Sequence, residues 1–455
     1  MISRRDQLQS YQFMNQRVIS ALVMRETDPA QAPLRRGVGA LFGGVMVAIL
    51  VAAGFGIYGL LTRTGANQWQ QEGSVVVERE TGASFVYLRG RLNPTLNFTS
   101  AKLAAGRPNP PVFRIAAKSL TGTPRGVTIG IAGAPASLPE AARQTRLPWT
   151  VCAVPGNRPS TVLLVGAGSP AATPAGDRAL LTTDVITGDV HLIWQGRKHE
   201  IKDSRTTVQA LFGAASPIRM GTAWLNALPS GADIAPVNVN GRGNPSPAAP
   251  GFDNGDILVT QTGSGQQFYL VLNDGRAAIT PLQQAVLNAG FPDRPEQISV
   301  NDLTAIPESR ALRNDDPSVR GPQVVPELAT IDQGASACAV TTAADKPPAI
   351  SVGASASAFG ATIPTGGATG NGRPLADAVQ VPAGRFELIR VPGSGGFMLI
   401  TDIGLGHAIP DADTVARLGY AAANAIEVPT ALINSLPAGV TLDPEAATQP
   451  AANPD

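Results

Sequence analysis

The sequence predicts an α+β, β-rich fold. A single N-terminal transmembrane helix carries a pseudo-twofold exported domain of four small β/α repeats around a central β core. Three observations predict this. The first is an uncharged, almost wholly apolar run of 26 residues, Gly37–Thr62. The second is a long following region of short β-type runs, punctuated throughout by a chain total of 49 Gly and 39 Pro. The third is an internal duplication: Ala223-Trp-Leu-Asn-Ala-Leu-Pro-Ser-Gly231 and Ala431-Leu-Ile-Asn-Ser-Leu-Pro-Ala-Gly439 share Ala, Asn, Leu, Pro and Gly at matching positions.

Residues 1–36 form a leader. Ser3 and Asp6 have the spacing of a capping box, and Leu8, Tyr11, Met14, Val18 and Leu22 follow at helical intervals, which predicts a cytoplasmic amphipathic helix of about five turns. Asp28-Pro29 and Ala32-Pro33 break the pattern. A lone short helix is marginal in water, so this stripe is expected to dock on a partner, the favoured reading, or on the membrane surface.

Residues 37–62 are the expected membrane span. At 1.5 Å per residue the helix is about 39 Å long, more than the ~30 Å of hydrocarbon it must cross. The leader carries six Arg against Asp6, Glu26 and Asp28, so the N-terminus is cytoplasmic and the remainder exported. A cleaved signal peptide has a shorter apolar core, of about 7–15 residues. Ala40, Gly44, Ala48, Ala52 and Gly56 recur every fourth residue and present a small-residue face on which another helix could pack closely.

The leader contributes +3 to an overall formal charge of +1, leaving −2 beyond it. Nucleic-acid binding has no basic surplus to rest on. The exported region is expected to occupy residues 63–440, with units near 80–110, 185–235, 255–300 and 390–440 and a core near 111–184 and 320–389. Within it, Ser84–Leu88, Val127–Ile131, Thr161–Val165 and Asp256–Thr260 read as strands, and Ser204–Phe212, Pro281–Ala289 and Ala412–Ala423 as helices. Each unit reads as strand, turn, strand, helix and closing loop. Residues 441–455 have too little apolar content to fold alone and read as a disordered tail.

The two cysteines, Cys152 and Cys338, each begin a Cys-Ala-Val segment in its own half, followed by Pro159–Gly166 and Pro348–Gly353. Equivalent positions meet only near the axis relating them. In an oxidising compartment one disulfide across that axis is the expectation.

Recognisable catalytic chemistry is missing. The sequence has no Gly-x-x-x-x-Gly-Lys-Ser/Thr loop and no Gly-x-Ser-x-Gly elbow, and neither metal-ligand spacing nor a cofactor motif. Of three histidines, His191 and His407 read as structural, whereas His199-Glu200, behind Arg197-Lys198, reads as a solvent-facing turn. Gly126, Gly130 and Gly133 read as a strand entering a turn rather than a phosphate loop.

Several stretches resemble the EccB family, the single-pass inner-membrane component of actinobacterial type VII (ESX) secretion systems. They are Ser3-Arg-Arg-Asp-Gln-Leu8, the approach Pro29–Arg36, Asn93-Pro-Thr-Leu-Asn-Phe-Thr-Ser-Ala-Lys-Leu103, Arg125-Gly-Val-Thr-Ile-Gly-Ile-Ala-Gly-Ala-Pro135 and Trp149-Thr-Val-Cys152. The resemblance covers nearly the whole chain. It implies a periplasmic domain of four cell-wall-binding-like repeats, and a complex with the FtsK-like ATPase EccC, the multi-spanning EccD, EccE and the neighbouring mycosin protease. Self-association in the periplasm is a further expectation. The favoured function is that of a structural subunit; the alternatives are a nucleotide hydrolase, a label sometimes given to this family, and a peptidoglycan-binding module.

Overall fold

The structure is a computed structural model that describes residues 3–25, 35–63, 68–169, 172–263, 265–292, 294–312, 321–332 and 335–451. The chain forms two compact units, one of residues 1–71 and 117–121, the other of the remainder.

The first unit holds two long helices. Helix α1 spans Arg4–Met24, and Ser3 and Asp6 close a capping box at its start. Arg25, in the left-handed conformation (φ 58°), ends it. The two Pro breaks expected next lie outside the described residues. Helix α2 spans Arg35–Arg63, and its Gly37–Tyr58 stretch is long and apolar enough to cross a membrane.

The second unit contains four copies of one motif. The first comprises β1 (Ser74–Glu78), β2 (Ser84–Leu88), β3 (Arg91–Pro94), α3 (Phe98–Ala104) and β4 (Val112–Ile115), with the short helix α4 (Ala117–Leu120) next in sequence. Strands β5 (Trp149–Val154), β6 (Ser160–Leu164) and β7 (Thr173–Pro174) follow. The second copy comprises β8 (Leu180–Asp184), β9 (Val190–Trp194), β10 (Arg197–Glu200), α5 (Ser204–Phe212), β11 (Ile218–Met220) and α6 (Thr222–Asn226). The third comprises β12 (Ile257–Thr262), β13 (Gly265–Leu272), β14 (Gly275–Ile279), α7 (Pro281–Gly290), β15 (Glu296–Gln297) and α8 (Val300–Ala305). Next come β16 (Ala335–Thr341), β17 (Ala349–Ser355), β18 (Ile363–Pro364) and β19 (Ala378–Gln380). The fourth copy comprises β20 (Glu387–Arg390), β21 (Phe397–Ile400), β22 (Gly406–Ile409), α9 (Ala412–Arg417), β23 (Ile426–Glu427) and α10 (Thr430–Ile433), and α11 (Pro444–Ala447) ends the described chain.

Each copy folds alike. Three antiparallel strands meander, a helix crosses back, and a fourth strand pairs parallel with the first, giving the orders β3-β2-β1-β4, β10-β9-β8-β11, β14-β13-β12-β15 and β22-β21-β20-β23. This corrects the expected unit, which lacked a strand and the closing parallel strand. It also moves β4 and β8 out of the expected core and into repeat sheets.

The remaining strands form one sheet, β18-β19-β6-β5-β16-β17-β7. Its centre is symmetric: β5 and β16 pair antiparallel, each hairpins with its successor, and the register sets Ala337 against Ala153, Cys338 against Cys152 and Ala339 against Val151. The pseudo-twofold axis therefore passes between the two cysteines. The symmetry stops further out, where β19 joins β6 in parallel but β7 joins β17 antiparallel.

Side chains alternate across this sheet as the pleat requires. Val151, Ala153, Leu163, Ala337 and Ala339 face a core completed by Trp224 and Leu228 from the second repeat and Leu432 and Leu436 from the fourth. Cys152, Cys338, Val162 and Leu164 face the other side, under Phe359. Repeats two and three share a core through Leu181, Leu192, Val208, Leu282 and Val286. Repeats one and four share theirs through Val75, Val86, Leu103, Leu399 and Val415. The rotation that exchanges the halves exchanges these two pairs.

Two sequence expectations fail here. Val127–Ile131 forms no strand and contributes two isolated bridges, both at Ile129, to Thr95 and to Pro450. The tail is ordered to Ala451: Leu442 and Ala447 are fully buried against the first repeat, and Ala451 N donates to Thr128 O (2.9 Å). Two well-placed apolar side chains suffice because a neighbouring repeat supplies the rest of the core.

Candidate assembly site

The duplicated Asn-x-Leu-Pro-x-Gly segment acts as a clamp. In the second repeat Lys198 N donates to Pro229 O (3.0 Å) and Gly231 N donates back to Lys198 O (2.8 Å). The fourth repeat makes the same pair between Gly406 and Pro437/Gly439 (3.0 and 2.9 Å). So do the first, between Leu92 and Pro124/Gly126 (2.9 and 3.1 Å), and the third, between Arg276 and Pro307/Ser309 (both 2.8 Å). The segment thus satisfies the free edge of each third strand, which would otherwise be open to pairing with another chain.

One residue further along each third strand stand Asn93, His199, Ala277 and His407. They explain the glycines. A Cβ at Gly126 would lie 1.8 Å from Asn93 Oδ1, one at Gly231 2.1 Å from His199 Cε1, and one at Gly439 2.5 Å from His407 Cε1. In the third repeat the facing residue is only Ala277, and Ser309 takes the glycine's place.

His199 is therefore fully buried in β10, not exposed in a turn. The charged neighbours Arg197, Lys198 and Glu200 disguised a strand position whose ring turns inward. Its Nδ1 donates to Ala232 O (2.8 Å), as His407 Nδ1 does to Val440 O (3.1 Å), and burial lowers the pKa of both rings. The bond at Nδ1 makes the neutral form of each ring the Nδ1–H tautomer. Their Nε2 atoms are buried without a hydrogen-bond partner. His191 is also buried, in β9.

The cysteines meet as expected: Cys152 and Cys338 form a disulfide with Cα atoms 4.0 Å apart, the close approach of directly opposed antiparallel residues. It closes a sequence separation of 186 residues. Around the same axis Trp224 Nε1 donates to Val151 O (3.1 Å), and Asn226 and Asn434 line a cleft of about 350 Å³ beside Arg373, whose Nη1 donates to Asn434 Oδ1 (3.0 Å).

Two buried ionisable groups were not singled out in the sequence. Burial pushes Glu387 up to about 7, against donation from Gln144, Thr145 and the Leu388 amide. Lys102, lowered by burial, donates to Leu418 O (2.7 Å), so α3 caps the C-terminal end of α9 across the repeat boundary. Among the described residues no three His, Cys, Asp or Glu side chains gather as a metal site.

The N-terminal helices present the other candidate residues. Leu8, Tyr11, Met14, Val18 and Leu22 share one face of α1 and are all more than half exposed, with Phe13 on the opposite side. Along α2, ideal Cβ atoms at Gly44 and Gly56 meet nothing within 4 Å, and Ala40, Ala48 and Ala52 are exposed beside them.

A membrane-crossing helix ahead of four copies of one β/α motif defines the class: a membrane-anchored repeat protein. The family model described as "Type VII secretion system ESX-1, transport TM domain B" matches residues 1–452, and the chain belongs to that family, EccB. The chain is 31% identical over 323 residues to the "ESX-5 secretion system ATPase EccB5" of Mycobacterium tuberculosis (strain ATCC 25618 / H37Rv), covering 67% of this chain and 62% of the relative. It is 30% identical over 293 residues to the "ESX-2 secretion system ATPase EccB2" of the same strain, covering 60% and 56%. The matches thus span less than two thirds of either relative. The fold is similar to a chain of the intact ESX-5 inner membrane complex (TM-score 0.66, 24% identity, covering 100% of this chain and 97% of that one). It is similar also to the EccB3 dimer from the ESX-3 core complex (TM-score 0.64, 24% identity, 83% and 100%).

Proposed function

We propose that this protein is a structural subunit of a type VII secretion inner-membrane complex, anchored by α2 with its N-terminus cytoplasmic and its repeat domain in the periplasm. The observation that carries the reading is the family match along the whole chain, membrane helix included. The ESX complexes in which chains of this fold occur support it. In this reading α1 engages cytosolic subunits, the small-residue face of α2 packs on another membrane helix, and the repeat domain associates with a second copy. EccC, EccD, EccE and the mycosin protease are the proposed partners.

The relatives carry the word ATPase in their names. The present chain has no phosphate-binding loop in its sequence, and we assign it no catalytic residue. Affinity purification of the tagged full chain from its own membranes in mild detergent tests the reading. Co-migration with the other membrane subunits on a native gel is expected. Migration alone, from membranes in which those subunits still assemble with each other, would overturn it. Phosphate release from ATP that stays constant per mole of chain through successive purification steps would overturn the non-enzymatic part. Pelleting of the full chain with isolated cell wall would favour the peptidoglycan-binding reading. Deleting residues 1–27 should leave the chain inserted but absent from the complex; unchanged co-purification would remove the docking role of α1.

A further inference from the structure

The clamp occurs four times, and only two copies carry a titratable side chain under it. We propose that His199 and His407 make the clamps of the second and fourth repeats acid-sensitive latches, releasing the segments 229–234 and 437–442 on acidification while the first and third clamps hold.

The geometry carries the proposal. Each ring is fully buried, spends Nδ1–H on the carbonyl of the clamp segment (Ala232 or Val440), and lies against the clamp glycine so closely that no Cβ fits between. A second proton must go on Nε2, which is buried and meets no acceptor. The imidazolium would thus be enclosed with one N–H unsatisfied, a costly arrangement relieved when the clamp segment lifts and water reaches the ring. The charged groups acting on His199 are Arg197, which opposes protonation, and Asp233, which favours it; His407 is governed by burial and its bond to Val440. Both rings hold fewer protons folded than unfolded, so clamp stability falls as pH drops through the ordinary histidine range. Two further groups titrate nearby. His191 sits on β9, opposite Glu200, and Glu387 begins β20, two strands from β22; burial raises Glu387, so acid works on it in the opposite sense. Global melting mixes these contributions, so the readout must be local.

The molecule holds its own controls. Asn93 and Ala277 occupy the same position under clamps with the same backbone bonds and cannot titrate. The test is hydrogen exchange, read by mass spectrometry, on the full chain in detergent at pH 7.5 and 5.5, each corrected for intrinsic exchange. Peptides covering 229–234 and 437–442 should lose protection severalfold, against less than about twofold for 124–129 and 307–309. His199→Asn and His407→Asn should each abolish the acid response of their own clamp only. Equal responses at all four clamps, or no response at any, would overturn the proposal in the unmodified protein. An acid response that persists in folded His→Asn chains would assign it to His191 or another group and overturn the latch equally.

Discussion

The two long N-terminal helices and the repeat domain treat apolar surface in opposite ways. In the repeat domain Trp149, Trp224 and Phe386 are wholly enclosed by side chains from the same unit, whereas Leu41, Phe42 and Phe55 of α2 stand about 70% exposed, as does Tyr11 of α1. A buried Leu or Phe contributes about 1.5–3 kcal/mol through removal from water. The repeat domain collects that contribution internally, while the helices obtain it only from lipid or another polypeptide. Stability in one region is encoded within the chain; in the other it belongs to the surroundings.

The comparison is sharpened most by replacing Cys152 and Cys338 together with Ala. Loop closure over 186 residues is worth about 5 kcal/mol in the chain-entropy model, so thermal unfolding of the repeat domain should drop steeply while membrane insertion is unchanged. A melting point equal to that of the unmodified chain would break the link between the bridge and the domain. Glu387→Gln comes next. With its pKa raised from 4.5 to about 7 by burial, the folded state holds more protons than the unfolded one between those values. Stability therefore falls as pH rises across that window and levels off above it. Relative to the unmodified chain, the variant should gain about 2–3 kcal/mol between pH 5 and 8 in denaturant titrations; a constant difference would refute the assignment. Gly439→Ala places a methyl 2.5 Å from the His407 ring and should cost about 1–3 kcal/mol in the same assay. The smallest effect on the domain is expected from Gly44→Leu with Ala48→Leu. It should leave domain unfolding untouched and reduce co-purification of the complex, more than Val45→Leu with Val47→Leu does. Equal loss from both pairs would show that α2 has no preferred face.

What was legible in the sequence follows a physical line. Helix α2 was plain because uncharged length needs no tertiary context. Helix α5 was read to its ends because a single amphipathic stripe runs between Asp203 and Gly213. The cysteine pairing followed from equivalence of position, and the register of β5 with β16 bears it out. Three of the closing parallel strands were missed because β11, β15 and β23 hold only three, two and two residues, too few for alternation to show. Helix α3 hid among small residues, Thr99, Ser100 and Ala101, whose burial depends on neighbours far away in sequence. His199 was misplaced because its flanking charges outweighed a two-residue period. The clamp itself was half visible: the Pro-x-Gly repetition was on the page, but its reason lay in a residue 32 positions upstream.

The disulfide has a mechanical side. Repeats two and three, residues 180–309, lie entirely between Cys152 and Cys338, whereas repeats one and four lie outside. Tension applied between the two ends of the domain would run along repeat one to Cys152, cross the sulfur bridge to Cys338 and continue along repeat four. The enclosed repeats would carry none of it. In a reducing medium the same pull would lengthen the tether by up to 186 residues of slack, so the bridge sets how far the domain can be drawn out before its inner half is loaded.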